Sequence, residues 1–396
     1  VKLSPLYDRL AAAGAEFGSY GGWERADWFP KNGVDRHPAN SYDRQHWFDT
    51  VGKECRHVAE HAGIIELTGF SRFHLKGDGA ADWLASLITG NLPQVGRFGL
   101  VYFASAKGKV LTEMSATRLA EDEFLLITGA GAYWHDRDLL NGCLPKSGGV
   151  SLQDTTRDYA TLLVTGPKSP AIIAAVSGLS TSQADFPWLS HQPCQIADCW
   201  VTAIRVSFAG EAGWEIHCDM ADVLTVYDQI MTAGAPHQLG HFGMLALDSM
   251  RLEKGYRSWK SDLTSDYTML ESGLGRWVKF DKADFVGRSA LQAEHQAGSK
   301  RQFAMLTLDD PVDGNSDPFG EAVYLSVVQC DGVDSGLVVS AGYGHRVNKS
   351  IAMAVVDTEK LVSASQISVA VVGRPRSAHL VPAHALYDLN DEKLRV

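Results

Sequence analysis

The chain has 396 residues, a formal net charge of −11, and 45% hydrophobic and 21% charged residues, an ordinary globular composition with length for two or three domains. Such a chain repels nucleic acid and anionic membrane surface on average, so neither is expected as a partner, while local basic sites for a small anionic ligand remain open. No apolar run approaches the roughly 20 residues that span a bilayer. The opening VKLSPLYDRLAAAG has no basic region followed by an apolar stretch, so no signal peptide is expected, and a start at Val1 leaves open a cut inside a longer chain. The cysteines (Cys55, Cys143, Cys194, Cys199, Cys218 and Cys330) are scattered, the closest pair being C-x4-C. Without a zinc or redox spacing they read as reduced thiols of a cytoplasmic protein.

In chain order, residues 1–50 are aromatic and polar, broken by glycines, Pro30 and Pro38. Trp23, Trp28, Phe29, Trp47 and Phe48 would be costly to expose, so this arm is expected to pack on the body. "GKECRHVAEHAGIIEL" reads as a helix running into a strand. A pattern then occurs twice. "RFHLKGDGAADWLASLITG" is strand, turn at Gly77, helix; "ATLLVTGPKSPAIIAAVSG" repeats it with the turn at Gly166. Each is followed by a hairpin region and a further helix. This predicts two related α+β lobes, residues 51–150 and 151–297, with mainly antiparallel sheets. "FGMLALDSMRLEKG" adds a helix. From 298 to 396 short alternating runs separated by turn residues predict a small Greek-key β-barrel.

Few motifs carry chemistry alone. "HVAEH", His57 to His61, matches an inverted zinc-protease pattern, but no third ligand follows, and an ordinary helix face explains it better. His237 and His241 make a weaker pair. "TGAGAYW" lacks the third glycine of a dinucleotide fingerprint, and there is no P-loop or hydrolase signature. In "RVSFAGEAGWEIHCD", Glu211 and Glu215 stand four apart beside glycines, Phe208 and Trp214. A carboxylate accepts two parallel N–H bonds, which the amine and ring N–H of a pterin or guanine present. A solvated hairpin tip is the plainer reading, and spacing alone leaves both open. "RLEKGYRSWKSD" holds Arg251, Arg257 and Trp259, either a solvated helix end or a place for a carboxylate ligand to dock.

"GEAGWEIH", "ALDSMRLEKGYRSW", "LESGLGRWVKFDKADFVGRSAL" and "SAGYGH" resemble the aminomethyltransferase (glycine-cleavage T-protein) superfamily. "YGGWERADWFP", "WFDTVGKECRHVAEHAGIIELTGFSRF" and "HALYDLNDEKLRV" extend a closer likeness, to the tetrahydrofolate-binding half of dimethylglycine and sarcosine dehydrogenases, almost end to end. The resemblance implies a three-domain ring around a central folate site, closed by the C-terminal barrel. It implies that Glu215 grips the pterin, that Glu211 is the more structural acid, that Arg251 lies near the folate tail, that Tyr102 lines the folate channel and that Trp259 stands near the cofactor. Two positions depart from the family. Glu113 stands where the family has its central Asp, and Phe208 replaces the usual Tyr. A shift of roughly 1 Å at a reaction centre costs about a hundredfold in rate, so the longer Glu113 needs a compensating backbone or a different reaction. The resemblance implies tetrahydrofolate-dependent capture of a one-carbon unit from a small methylated substrate, with a flavin dehydrogenase as separate subunit or domain. Direct methyl transfer to folate N5, with the donor's charge held on aromatic faces, and a non-catalytic folate-binding module are the alternatives.

Overall fold

The computed structural model describes residues 1–31, 44–146, 148–309, 320–382 and 384–396. Pro38, read above as a chain break, lies outside them.

The duplicated pattern builds two antiparallel sheets, each backed on one face by the helices of its own repeat. The first runs Phe98–Ala104, Val110–Ala120, Glu123–Thr128, Ser71–Lys76, Ser151–Asp154. The second runs His191–Ile196, Cys199–Ile204, Gly213–Asp219, Tyr159–Thr165, Ala62–Glu66, with Leu239–His241 added in parallel at the edge. The sheets thus exchange strands. Ala62–Glu66 precedes the first repeat yet pairs with Tyr159–Thr165, and Ser151–Asp154 precedes the second repeat yet pairs with Ser71–Lys76. Sheet membership therefore does not divide at residue 150, since each lobe borrows its neighbour's leading strand.

Gly77 and Gly166 explain how the borrowed strands fit. Both adopt positive φ, +120° and +117°, at the turn from strand to helix. A Cβ on Gly77 would lie 1.9 Å from the Gly149 carbonyl oxygen, and one on Gly166 would lie 2.5 Å from that of Val58 and 2.7 Å from that of His61. Those carbonyls belong to the segments leading into Ser151–Asp154 and Ala62–Glu66. Only glycine meets both the backbone angle and the close approach.

Strand alternation then sorts the side chains. In the first sheet Phe73, Val101, Phe103, Met114, Phe124 and Leu126 form a core with Leu84 and Leu140 of the covering helices. In the second, Leu162, Val164, Trp214 and Ile216 do so with Ile172, Val226 and Ile230. Arg72, Tyr102 and Glu113 alternate to the opposite face of the first sheet, where residues 259–291 pack on Tyr102, and Thr161, Leu163, Glu215 and His217 to that of the second, where helices Phe48–Glu60 and Met244–Glu253 pack on Leu163. Arg72 hydrogen-bonds Thr161 and His217, so these two faces meet.

The C-terminal strands close a six-stranded barrel in the order Arg301–Leu308, Lys349–Asp357, Val333–Gly344, Val327–Cys330, Ile367–Val371, Arg374–Leu380. Three meander strands with the fourth returning beside the first are a Greek key. Helix Met244–Glu253 joins barrel to lobes, and Ser249 on it donates to the Tyr343 carbonyl at 2.7 Å. The N-terminal hairpin Glu16–Tyr20/Trp23–Trp28 packs on the body with Trp23 and Trp28 buried. Among the described residues the cysteines are free thiols, and no helix is long and apolar enough to cross a membrane.

Candidate functional site

Glu113 and Tyr102 are cross-strand partners on the face of the first sheet opposite its helices Ala80–Leu87 and Tyr133–Cys143. The Tyr102 hydroxyl favours the ionised form of the neighbouring Glu113 carboxyl. Burial pushes the Glu113 carboxyl up to about 7; the Tyr102 hydrogen bond and the Arg257 charge oppose the rise, and Asp262 adds to it. Tyr102, only 2% exposed, has its own proton held by burial and by the adjacent Glu113 charge. A carboxyl titrating near neutrality is suited to general acid–base work.

Trp259 packs in the same apolar cluster as Tyr102, and its buried Nε1 has no hydrogen-bond partner. His135 stands 6.2 Å from it, ring to ring, and is oriented by the fully buried Asp136 at 2.7 Å from Nδ1. The structure thus brings Glu113, Tyr102 and Trp259 together, with Arg257 beside them.

Glu215 lies on the central strand Gly213–Asp219 of the second sheet, its side chain 21% exposed. His217, two residues on and so on the same face, places Nε2 3.2 Å from Glu215 Oε2. Behind it Arg72 places Nη2 2.6 Å from His217 Nδ1 and donates to Thr161 Oγ1 at 2.5 Å. Arginine is donor-only. His217 Nδ1 must therefore accept, which fixes the neutral imidazole with its proton on Nε2, donating to Glu215. Burial and then the Arg72 charge lower the His217 pKa, in keeping with that tautomer. Glu215 is thereby braced through Oε2, and its other oxygen takes no hydrogen bond among the described residues. Sequence reasoning missed Arg72 and His217. The i, i+2 spacing of Glu215 and His217 was the available signal, but Arg72 lies 145 positions from His217 and has none.

Phe208 sits on the turn before that strand, 36% exposed and stacked on Tyr256 with ring centroids 5.7 Å apart. Arg251 is placed differently from what the resemblance implies. Its side chain is 4% exposed and pairs with Asp248 at 2.7 Å and Asp262 at 2.5 Å. It also donates to the Tyr256 carbonyl at 3.1 Å and to Ser340 at 3.0 Å. With its donors taken up inside the protein, Arg251 braces helix, loop and barrel and does not offer itself to a folate tail. Glu211 accepts from Arg346 at 3.0 Å and from the Tyr387 hydroxyl at 2.5 Å, a tie between turn, barrel and C-terminal segment. His57 bonds the Gln238 carbonyl at 2.8 Å, and no group of three potential metal ligands occurs among the described residues.

The GCVT N-terminal domain family matches residues 6–282, and the glycine cleavage T-protein C-terminal barrel domain matches residues 301–388. The chain is 33% identical to mitochondrial dimethylglycine dehydrogenase of Mus musculus over 96% of its own length, but spans only 43% of that relative. It is 24% identical to an aminomethyltransferase of Desulfitobacterium hafniense, covering 97% of both chains. The crystal structure of the glycine cleavage system aminomethyltransferase T from Bartonella henselae superposes with a TM-score of 0.80 at 23% identity, over 97% of this chain and 98% of that one. Two domain models in series, duplicated lobes and a closing barrel make this chain a member of the glycine-cleavage T-protein (aminomethyltransferase) family.

Proposed function

We propose that the chain is a tetrahydrofolate-dependent one-carbon transfer enzyme, receiving its one-carbon unit from a small N-methylated amine of the dimethylglycine or sarcosine kind. The observation that carries this reading is the pair of differently prepared carboxylates on the two sheet faces that meet. Glu215 is oriented by His217, which Arg72 braces; the Glu113 carboxyl is pushed up to about 7 by burial, against the pull of Tyr102 and Arg257. Two carboxylates with divergent environments are the usual mark of divided labour.

The residues present suit tetrahydrofolate. Glu215 offers a braced acceptor for the paired N–H groups of a flat ring. Phe208 and Tyr256 offer a stacked aromatic face, and the orphaned Trp259 Nε1 offers a donor. Tetrahydrofolate, when bound, supplies the amine nitrogen that accepts the one-carbon unit. Glu113 takes or returns the proton of the reacting amine, and Tyr102 keeps the longer side chain oriented, which meets the demand created by Glu in place of the family's Asp. Oxidation of the amine falls to a flavin dehydrogenase, in a partner or in the remainder of a longer chain. The relation to dimethylglycine dehydrogenase, of which this chain spans 43%, supports that division.

The test is product identity by mass spectrometry. The purified chain, tetrahydrofolate and dimethylglycine are incubated with and without an added dimethylglycine-oxidising flavoenzyme, beside Glu215→Gln. The expected product is 5,10-methylene-tetrahydrofolate, formed only with the oxidase and faster than without the chain, while the variant gives no acceleration. Formation of 5-methyl-tetrahydrofolate with no oxidant would replace this reading with direct methyl transfer. Folate binding without any acceleration would leave a binding module.

A further inference from the structure

Arg257 differs from the other interior arginines. Arg251 is paired with Asp262 and Asp248, and Arg346 with Glu253 and Glu211. Arg72 is bound to Thr161 and His217, and Arg205 to the carbonyls of Thr181 and Phe186. No hydrogen bond or ion pair reaches Arg257 among the described residues, and its Nε is buried without a partner. Asp262, the nearby acid, gives Oδ2 to Arg251 and to the Ser258 N–H at 2.8 Å, and its Oδ1 is buried without a partner but makes no hydrogen bond or ion pair with Arg257. Arg257 is only partly buried, but a buried Nε with no partner is still costly to keep, and a ligand that pairs with the guanidinium would offset that cost.

The guanidinium is also held in place. It lies over the Phe303 ring, Cζ to centroid 3.9 Å. Its other side is cleared by Gly273, where a Cβ would come within 2.7 Å of Nη2 and φ is +69°. Arg276 is close enough to oppose its charge, so the neighbourhood holds a second cation. Glu113 and Tyr102 are near enough for their charges to act on it, and Trp259, two residues on, packs in one cluster with Tyr102. A fixed, unpaired, planar fork matches a carboxylate bidentately.

We infer that Arg257 is a carboxylate anchor beside Glu113, and that the one-carbon donor of this site is a carboxylate-bearing methylated amine, an N-methyl amino acid. The anchor holds the acid end of the donor while the substituted nitrogen stays within reach of Glu113 and the aromatic walls of Tyr102 and Trp259. This rests on the Glu113 pocket being the reaction centre. The same chemistry is present in the glutamyl tail of tetrahydrofolate, and the test separates the two sources.

Calorimetric titrations compare dimethylglycine with N,N-dimethylethanolamine, which keeps the amine and lacks the carboxylate. The proteins are wild type, Arg257→Lys and Arg257→Met, and each is also titrated with tetrahydrofolate and with 6-methyltetrahydropterin, which has no tail. Dimethylglycine is expected to bind wild type at least about tenfold more tightly than the alcohol, the size of one charged hydrogen-bonded contact. Arg257→Met should erase that preference and Arg257→Lys keep part of it, with both pterin ligands changing less than about twofold. Equal binding of the two amines to wild type, or an undiminished preference in Arg257→Met, overturns the anchor. Loss of tetrahydrofolate but not 6-methyltetrahydropterin in Arg257→Met overturns the donor assignment and gives the guanidinium to the folate tail. Failure of wild type to bind either pterin sinks the folate reading itself, while the comparison of the two amines still reports on Arg257. Should Arg257→Met not fold, Arg257→Lys carries the comparison.

Discussion

Glu113 makes the most direct prediction at the scale of one residue. With its carboxyl near 7, kcat/KM should rise with pH through a limb close to neutrality. Glu113→Gln should remove that limb and lower kcat by about 10²- to 10⁴-fold. The Tyr102 hydrogen bond favours the carboxylate, so Tyr102→Phe should move the limb to higher pH; an unmoved limb would exclude Glu113 as its source. The same group has a stability signature. Its folded pKa lies above the ordinary carboxyl value of 4.5, so the fold prefers the neutral acid. Its favourable contribution is complete below about 4.5 and is lost as pH rises to about 7. Glu113→Gln should therefore gain on wild type between pH 4.5 and 8 by about 1–3 kcal/mol, read from urea melts at each pH. His217 makes the second prediction. His217→Leu should raise the KM for folate roughly tenfold while kcat holds, and His217→Gln, whose amide still donates, should recover part of the loss. Glu113 and Glu215 were singled out by the family resemblance, since spacing alone left Glu215 open between a ring grip and a solvated hairpin tip. The saturation of Arg251 was not legible, because its partners come from a loop and the barrel, and a basic-aromatic string reads alike whether its charges are satisfied or free.

At the scale of elements, the two strand-to-helix turns were legible from Gly77 and Gly166, and the strands from their period of two. The pairing of the leading strands was hidden. Alternation says which face a residue occupies and nothing about which strand lies alongside. Gly166→Ala should cost at least about 2 kcal/mol, since it adds an unfavourable φ to a collision with the carbonyls of Val58 and His61. Gly178 is the control. It also has positive φ, at a helix C-cap, but open space where a Cβ would go, so Gly178→Ala should cost only about 1 kcal/mol. Equal losses at the two sites would mean that backbone angle alone decides and that the borrowed strand imposes no tight contact.

At the scale of the whole molecule, lobes and barrel are joined by buried charge. Arg346 Nε pairs with Glu253, which is wholly buried, and Nη1 with Glu211, 2% exposed. Lys254 reaches Asp391 at 2.7 Å, and Lys393 reaches the Tyr387 hydroxyl at 2.5 Å. Removing one partner of such a set leaves the others buried and uncompensated. Arg346→Met should thus cost about 3–5 kcal/mol. Because the pairs are shielded from water, the loss should hardly change with salt; recovery in high salt would mean that water reaches the joint. The barrel itself was legible as short alternating runs, whereas its means of attachment was not, since residues 211, 253, 346 and 387 converge only once three parts of the chain are in place.

The exchange of leading strands also bears on how the molecule is assembled. Neither sheet is complete in its own half of the sequence, because residues 62–66 wait for residues 159–165, and residues 71–76 wait for residues 151–154. As the chain emerges from the ribosome, the first sheet stays open at one edge until its partner segment follows, an unpaired edge being an invitation to misassociation. Two fragments cut between the repeats would each carry the strand that the other lacks. Neither should be stable alone, but mixed together they should recombine as a complementing pair, which makes the duplicated halves a single cooperative unit.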